Sequence, residues 1–381
     1  MEEWIKCPLG DILNFRRGHD LPKTSMIPGD IPVAGSNGII GFHNVSTPIS
    51  PCITIGRSGN VGTPYIYDKC WAHNTVLYID DYKGNDPKYL YYLLKTLPLA
   101  SFGGGSAVPT LNRNHIHPLE VVFCKDIELQ KKIAGILSKI DDKIELNRQI
   151  NDNLEQQIQT LYREWYIDNP KTEWATISLS EVATFVSGYS YKGNELVDSS
   201  ETAMATIKNF ERNGGFKLDG YKPISPSSKL KEEQHAELFD ILVAHTDLTQ
   251  NAEVIGNAEI ILSKDSYNDI IFSMDLVKVV AKESFPYQFL LALLLKNPVF
   301  KSHCIGYVNG TTVLHMNKRA LPDFNTQIPT CEDAARMNEM AKSIFTKMYE
   351  NLSEIANLTK LRDSLLPKLM SGELKINEID C

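Results

Sequence analysis

The chain has 381 residues, 43% of them apolar and 23% charged, and a formal net charge of −8. That length exceeds one ordinary domain and implies two or three domains with real cores. There is no run of about 20 apolar residues, so no membrane span is expected. The opening Met1-Glu2-Glu3-Trp4 lacks the basic and apolar regions of a signal peptide. Seven cysteines (Cys7, Cys52, Cys70, Cys124, Cys304, Cys331 and Cys381) are odd in number and form no Cys-x-x-Cys pair. They argue against a disulfide framework or a zinc site and point to a reducing cytoplasm. Net charge is +1 over residues 1–125, −3 over 126–168, −4 over 169–328 and −2 over 329–381. No segment is a strong basic footprint, so any grip on nucleic acid must come from local clusters or from a partner.

In chain order, the first signal is an internal duplication. A shift of 170 residues lays Trp4 on Trp174, Leu9 on Leu179, Ile12 on Val182, Phe15 on Phe185 and Gly18 on Gly188. Each half then enters a β-type region. The first holds Ile53-Thr54-Ile55-Gly56-Arg57-Ser58-Gly59-Asn60, which reads as strand–turn–strand, and the second holds Ile241 to Asp247 in the comparable place. A short helix is expected over Tyr89–Lys95 and again over Phe289–Lys296. Small-residue loops follow, at Gly103–Ser106 and Gly306–Thr312. After them Leu111 matches Leu314 and Asn114 matches Asn317 at an offset of 203.

Each half ends in a long helix. Seam positions step by four and three through Ile133, Leu137, Ile140, Ile144, Asn147, Asn151, Leu154, Ile158, Leu161 and Trp165. The second series runs Met337, Ala341, Ile344, Met348, Asn351, Ile355, Leu358, Arg362, Leu365 and Leu369. A 3.5-residue period sustained this long is a coiled-coil pattern, and each helix spans on the order of 50–60 Å. Two such helices separated by a globular segment pair most simply as an antiparallel coiled coil. Asn147 and Asn351 share a seam position in the two copies, where a buried Asn fixes register. The fold class expected is α+β, with two β-rich domains joined by two long helices. The expected boundaries are 1–125, 126–168, 169–328 and 329–381.

The stretch Leu129-Gln130-Lys131-Lys132-Ile133-Ala134-Gly135-Ile136-Leu137-Ser138-Lys139-Ile140 resembles the central conserved region of the specificity subunits of Type I restriction–modification systems. The stretch Leu361-Arg362-Asp363-Ser364-Leu365-Leu366-Pro367-Lys368-Leu369-Met370-Ser371-Gly372 resembles their C-terminal conserved region. The resemblance implies that each globular half is a target-recognition domain for one half of a bipartite, asymmetric site on double-stranded DNA. It implies helices that act as spacer and docking surface for two modification (methyltransferase) subunits, with a restriction subunit able to join. No cofactor is expected on this chain. S-adenosylmethionine belongs to the modification partner, and ATP and Mg to the restriction partner.

No catalytic motif competes with this reading. Phe102-Gly103-Gly104-Gly105 follows a helix and runs into Val108-Pro109, whereas a nucleotide-binding glycine turn follows a strand and opens a helix. Asn297-Pro298-Val299-Phe300 lacks the second proline of the adenine-methyltransferase tetrapeptide. The chain is expected to be a non-catalytic subunit without metal. The alternative is a coiled-coil scaffold with two protein- or glycan-binding heads.

Base reading needs bidentate donors and acceptors on exposed loops. In the first half the candidates are Arg57, Ser58, Asn60, His73, Asn74, Asn112 and Arg113. In the second they are Lys208, Asn209, His245, Thr246, Thr249, Gln250, Asn251, Thr311, Thr312, His315, Lys318 and Arg319. The run from His245 to Asn251 is the strongest base-reading candidate there, and Lys318-Arg319 the strongest phosphate contact.

Overall fold

The computed structural model describes residues 4–104, 109–249, 251–311 and 313–376. The chain divides into two compact units, Met1–Glu145 with Asn357–Cys381, and Leu146–Ala356.

Unit 1 opens with β1 (Trp4–Pro8), a single helical turn α1 (Leu9–Ile12) and β2 (Asn14–Arg17). There follow β3 (Ile31–Gly35), β4 (Gly38–His43), β5 (Cys52–Gly56), β6 (Pro64–Tyr67), β7 (Trp71–Ala72) and β8 (Val76–Asp81). One sheet has the order β2-β8-β5-β6, all antiparallel. A second has the order β4-β3-β7, in which β3 and β7 run parallel. Helix α2 (Pro87–Thr96) starts where its sequence dictates. Asp86 Oδ1 accepts the Tyr89 amide at 2.8 Å, and Pro87 fills the first turn. Leu90 and Leu93 on this helix share one core with Ile53, Ile55, Leu77 and Ile79 of the sheet. After the turn α3 (Arg113–Ile116), β9 (Glu120–Cys124) returns to pair antiparallel with β1. Helix α4 (Ile127–Tyr162) follows and ends in one π-helical turn, Arg163–Asp168.

Unit 2 repeats the plan. It contains β10 (Ala175–Ser178), α5 (Leu179–Val182), β11 (Ala183–Ser187), β12 (Thr202–Ala205) and β13 (Lys222–Pro223). It continues with β14 (Ile241–Ala244), β15 (Thr246–Asp247), β16 (Ala258–Ile260), β17 (Asp269–Phe272) and β18 (Leu276–Ala281). It closes with α6 (Gln288–Leu295), α7 (Pro298–Ile305), β19 (Val308–Asn309), β20 (Leu314–Met316), β21 (Asn325–Ile328) and the long helix α8 (Cys331–Ser371). The sheet β11-β18-β14-β16 answers β2-β8-β5-β6, and β13-β12-β17, again with one parallel pair, answers β4-β3-β7. The pair β10–β21 answers β1–β9.

The duplication is also written in hydrogen bonds. Leu9 and Leu179 donate to Leu119 O and Phe324 O, both at 2.8 Å. Gly18 and Gly188 donate to Val76 O and Leu276 O. A Cβ on Gly18 would lie 2.0 Å from His73 O, and one on Gly188 would lie 2.0 Å from Ser273 O. That close approach of two backbones requires glycine in both copies. The C-terminal part of the repeat corrects the expected pairing. Leu111 N donates to Arg57 O at 2.8 Å and Met316 N to His245 O at 2.9 Å, so Leu111 answers Met316 rather than Leu314. Asn112 then answers Asn317, because each side-chain oxygen accepts the amide two residues on, Asn114 N and Arg319 N. The loops after α2 and α7 differ in length by two residues more than the spacing of common residues revealed.

The long helices bury the expected seam from Ile133 to Ile158 and from Met337 to Asn351. At the end of α4, however, Tyr162 and Tyr166 are buried in place of Leu161 and Trp165, and in α8 Ile355, Leu358, Arg362 and Leu365 are only half-buried. In unit 1, Ile133 and Leu137 of α4 share a core with Leu366, Leu369 and Met370 of α8. There Arg362 Nη1 meets Asp141 Oδ1 at 2.8 Å. In unit 2, Asn147 Nδ2 donates to Glu354 Oε2 at 2.8 Å and Asn151 Nδ2 to Met348 O at 3.1 Å, so numbering rises in one helix as it falls in the other. The helices are antiparallel, and Asn351 donates to Asn151 Oδ1. Unit 2 also holds an ion triad whose Lys296–Glu259 pair is buried and whose third member, Glu155, is partly exposed. Lys296 Nζ pairs with Glu259, and with Glu155 of α4 at 3.2 Å.

Candidate nucleic-acid interface

In unit 1 the strands deliver four guanidinium groups to one concavity of about 400 Å³, lined by Arg16, Arg17, Arg57, Leu77, Thr110, Leu111, Asn112 and Arg113. Arg16 and Arg17 end β2 and stand exposed opposite Tyr78 and Leu77 of β8. Arg57 follows β5 and is held by its backbone on both sides. Its amide donates to Thr75 O at 2.8 Å, and its carbonyl accepts Leu111 N. Its Nη1 reaches Asn74 O at 3.4 Å. Arg113 opens α3 behind the capping Asn112, and its Nη1 donates to Phe15 O at 3.1 Å. Buried Leu77 and Leu111 form an apolar floor, and no carboxylate is among the lining residues.

Partial burial first, and the neighbouring Arg17 second, lower the pKa of Arg57. A guanidinium stays charged even so, and an anion entering the concavity relieves both costs. The apolar floor weakens solvent screening of that attraction. Such a site fits a phosphate or the acceptor edge of a guanine.

Most of the first-half candidates gather here. Arg57, Asn112 and Arg113 line the concavity. Ser58 bridges to Thr110, and Asn74 supplies the carbonyl that Arg57 reaches. The Asn74 side chain donates to Asp20. His73 Nδ1 lies 3.1 Å from Thr75 Oγ1, and Asn60 Oδ1 accepts from Thr63 Oγ1 at 3.1 Å on the exposed turn. Sequence reasoning missed Arg16 and Arg17 because it searched loops. The available signal was two adjacent arginines at a strand end just before Gly18, the glycine that both copies share as Gly18 and Gly188.

In unit 2 the same frame carries different chemistry. Strand β15 pairs with β20, so Thr246 lies opposite His315 and Asp247 opposite Leu314. His245 N donates to Asp275 O at 2.8 Å, as Arg57 N does to Thr75 O. His315, Lys318 and Arg319 are exposed, and Arg319 Nε lies 3.4 Å from Asp323. Burial first, then His315 and Lys318, lower the pKa of His245. Lys208, Asn251 and Thr311 are exposed. Three candidates have their polar tips engaged within the unit instead. Asn209 is 0% exposed, its Oδ1 taking Thr206 N and its Nδ2 giving to Lys217 O, both at 2.8 Å. Thr246 is 3% exposed, and its hydroxyl donates to Asp275 Oδ1 at 3.0 Å. Thr249 donates its hydroxyl to Asp247 Oδ1 at 2.9 Å. Asn209 and Thr249 spend their polar tips on local turns, and Thr246 spends its hydroxyl on the distant Asp275. Gln250 and Thr312 lie outside the described residues.

Residues 1–156 match the family model described as Type I restriction modification DNA specificity domain. The chain is 25% identical over 314 residues to the Type I restriction enzyme MjaIX specificity subunit of Methanocaldococcus jannaschii, covering 77% of this chain and 70% of that one. It is 26% identical over 316 residues to the HindI specificity subunit of Haemophilus influenzae, covering 65% and 68%. The crystal structure of the Type I system S subunit from M. genitalium superposes with a TM-score of 0.61 at 17% identity, covering 96% of both chains, and so shares the fold. The family domain over residues 1–156, the duplicated architecture and the long helix pair make the chain similar to the specificity subunits of Type I restriction–modification systems.

Proposed function

We propose that the chain is the non-catalytic subunit that recognises DNA sequence within a Type I restriction–modification complex. The observation that carries this is the four-arginine concavity of unit 1, built at the place in the repeated frame where unit 2 presents His245 and Lys318. Each unit reads one half of a bipartite site, and because the two sets of side chains differ, the half-sites differ. Methylation and cleavage are supplied by the partners: two modification subunits carrying S-adenosylmethionine, and a restriction subunit that uses ATP and Mg. The long helices are the docking surface for the modification subunits.

Methylome sequencing of cells expressing the chain with its modification subunit tests this. An asymmetric, two-part adenine motif that disappears when the chain is deleted is the expected result. Exchanging residues 169–328 for those of a relative changes one half of the motif and leaves the other. Unchanged methylation in the deletion strain refutes the proposal and favours the scaffold alternative.

A further inference from the structure

The backbone hydrogen bonds that align the two units also align their charges. Arg16 and Arg17 of β2 answer Val186 and Ser187 of β11 through the shared glycine that follows each strand. Arg57 answers His245, since each donates its amide to the residue before an equivalent strand and accepts from Leu111 or Met316. Arg113 answers Lys318, each following a capping asparagine. Four guanidinium groups in unit 1 are thus matched by one lysine and one imidazole in unit 2.

The acidic groups widen the difference. Thr75 of unit 1 is answered by Asp275, whose carboxylate takes the Thr246 hydroxyl. Beside the aligned residues Ser58 and Thr246, Gly59 is followed in unit 2 by Asp247, a buried carboxylate that accepts Thr249 N and Val254 N, both at 2.7 Å. The exposed Arg319 is already paired with Asp323. His245 favours its neutral form because of burial and its cationic neighbours. The unit 2 frame therefore presents almost no net positive charge where unit 1 presents four cations.

Resting on the proposed DNA-reading function, we infer that phosphate anchoring is one-sided: unit 1 binds the DNA backbone through its guanidinium cluster, while unit 2 holds its half-site with little phosphate neutralisation. Counterion release scales with the phosphates neutralised, so the salt dependence of binding belongs to unit 1. Unit 2 discriminates through groups that do not neutralise phosphate, among them the exposed Leu248 and Met274 that flank its frame. Met274 stands where unit 1 has Asn74, just after the bridging residue in both copies.

The experiment uses the complete complex with its modification subunits and a duplex carrying the mapped site, titrated from 50 to 200 mM salt. Two variants remove equal numbers of exposed cations, Arg16→Ala/Arg17→Ala in unit 1 and Lys318→Ala/Arg319→Ala in unit 2. The unit 1 variant is expected to lower the salt slope by about 1.8, which shrinks the affinity lost over that range by about twelvefold. The unit 2 variant is expected to change the slope by less than about 0.5. A third variant, Ser187→Arg, adds a cation at an exposed unit 2 position and is expected to raise the slope by about 0.9. Equal slope losses from the two double variants, or a larger loss from unit 2, overturn the inference. Failure of the unaltered complex to bind the site overturns the DNA-reading function itself.

Discussion

The side chain of Asn351 donates to Asn151 Oδ1 at 2.7 Å, buried between α8 and α4 in unit 2. Asn151 in turn donates to Met348 O, so the pair is satisfied only when these residues stand opposite one another. Asn351→Ala leaves the Asn151 oxygen buried without that donor and is expected to cost about 1–3 kcal/mol. Replacing both with leucine is expected to be close to neutral in stability while loosening register. Hydrogen exchange across residues 146–162 reads both effects: faster exchange in the single variant, near-normal protection in the double one.

The ion triad is a harsher test of unit 2. Burial alone would lower the pKa of Lys296, but Glu259 and Glu155 more than reverse it, and the ammonium is held charged. Lys296→Met strands two carboxylates, one of them fully buried, and is expected to cost about 3–5 kcal/mol. Adding Glu259→Leu and Glu155→Leu recovers much of that loss. Urea denaturation of the single and triple variants measures it, and a single variant as stable as the unaltered chain contradicts the buried pairing.

His245 gives a pH signature. Burial, then His315 and Lys318, lower its folded pKa, while Asp275 opposes them. The unfolded chain therefore takes up this proton first as pH falls. The stability tied to the neutral ring is present above about pH 6.5 and lost as pH drops through the lower folded value. Lys318→Gln is expected to move the imidazole titration upward and Asp275→Asn to move it downward. Histidine-selective NMR follows both, and an unaltered midpoint at or above about 6.5 contradicts the assignment.

Gly18 and Gly188 make the duplication itself testable. Alanine at either position drives Cβ into a facing carbonyl oxygen. Each substitution is expected to cost more than about 2 kcal/mol and to act on its own unit. Proteolysis mapped by mass spectrometry distinguishes them: Gly18→Ala opens cleavage sites within residues 4–145 and Gly188→Ala within 146–356.

The sequence revealed the elements that repeat with large side chains or a strict period. Trp4 with Trp174, Gly18 with Gly188 and the seam from Ile133 to Ile158 all took the places their spacing indicated. Local polarity was harder to interpret. Asn209 lies three residues after Thr206, and the two side chains cap a single turn. That Thr-x-x-Asn spacing is a capping signal, yet it looks the same as an exposed recognition loop until burial is known. The pairing of Asn351 with Asn151 depends on the stagger between helices, which a period of 3.5 does not specify. Arg16 and Arg17 join Arg57 and Arg113 only after β2, β8 and the 110–113 segment have been brought together across about a hundred residues of chain.

Unit 1 is discontinuous: its core takes Leu366, Leu369 and Met370 from residues made more than two hundred positions after β9. Trp4 lies against Gly372, at the far end of that journey. Unit 2 is an uninterrupted stretch, Leu146–Ala356. On the ribosome the first-made half must therefore wait, incomplete, while the second-made half can close, and it acquires its last wall only when residues 357–376 emerge. A premature stop after Ala356 would spare the half nearest the lesion and cripple the one farthest from it.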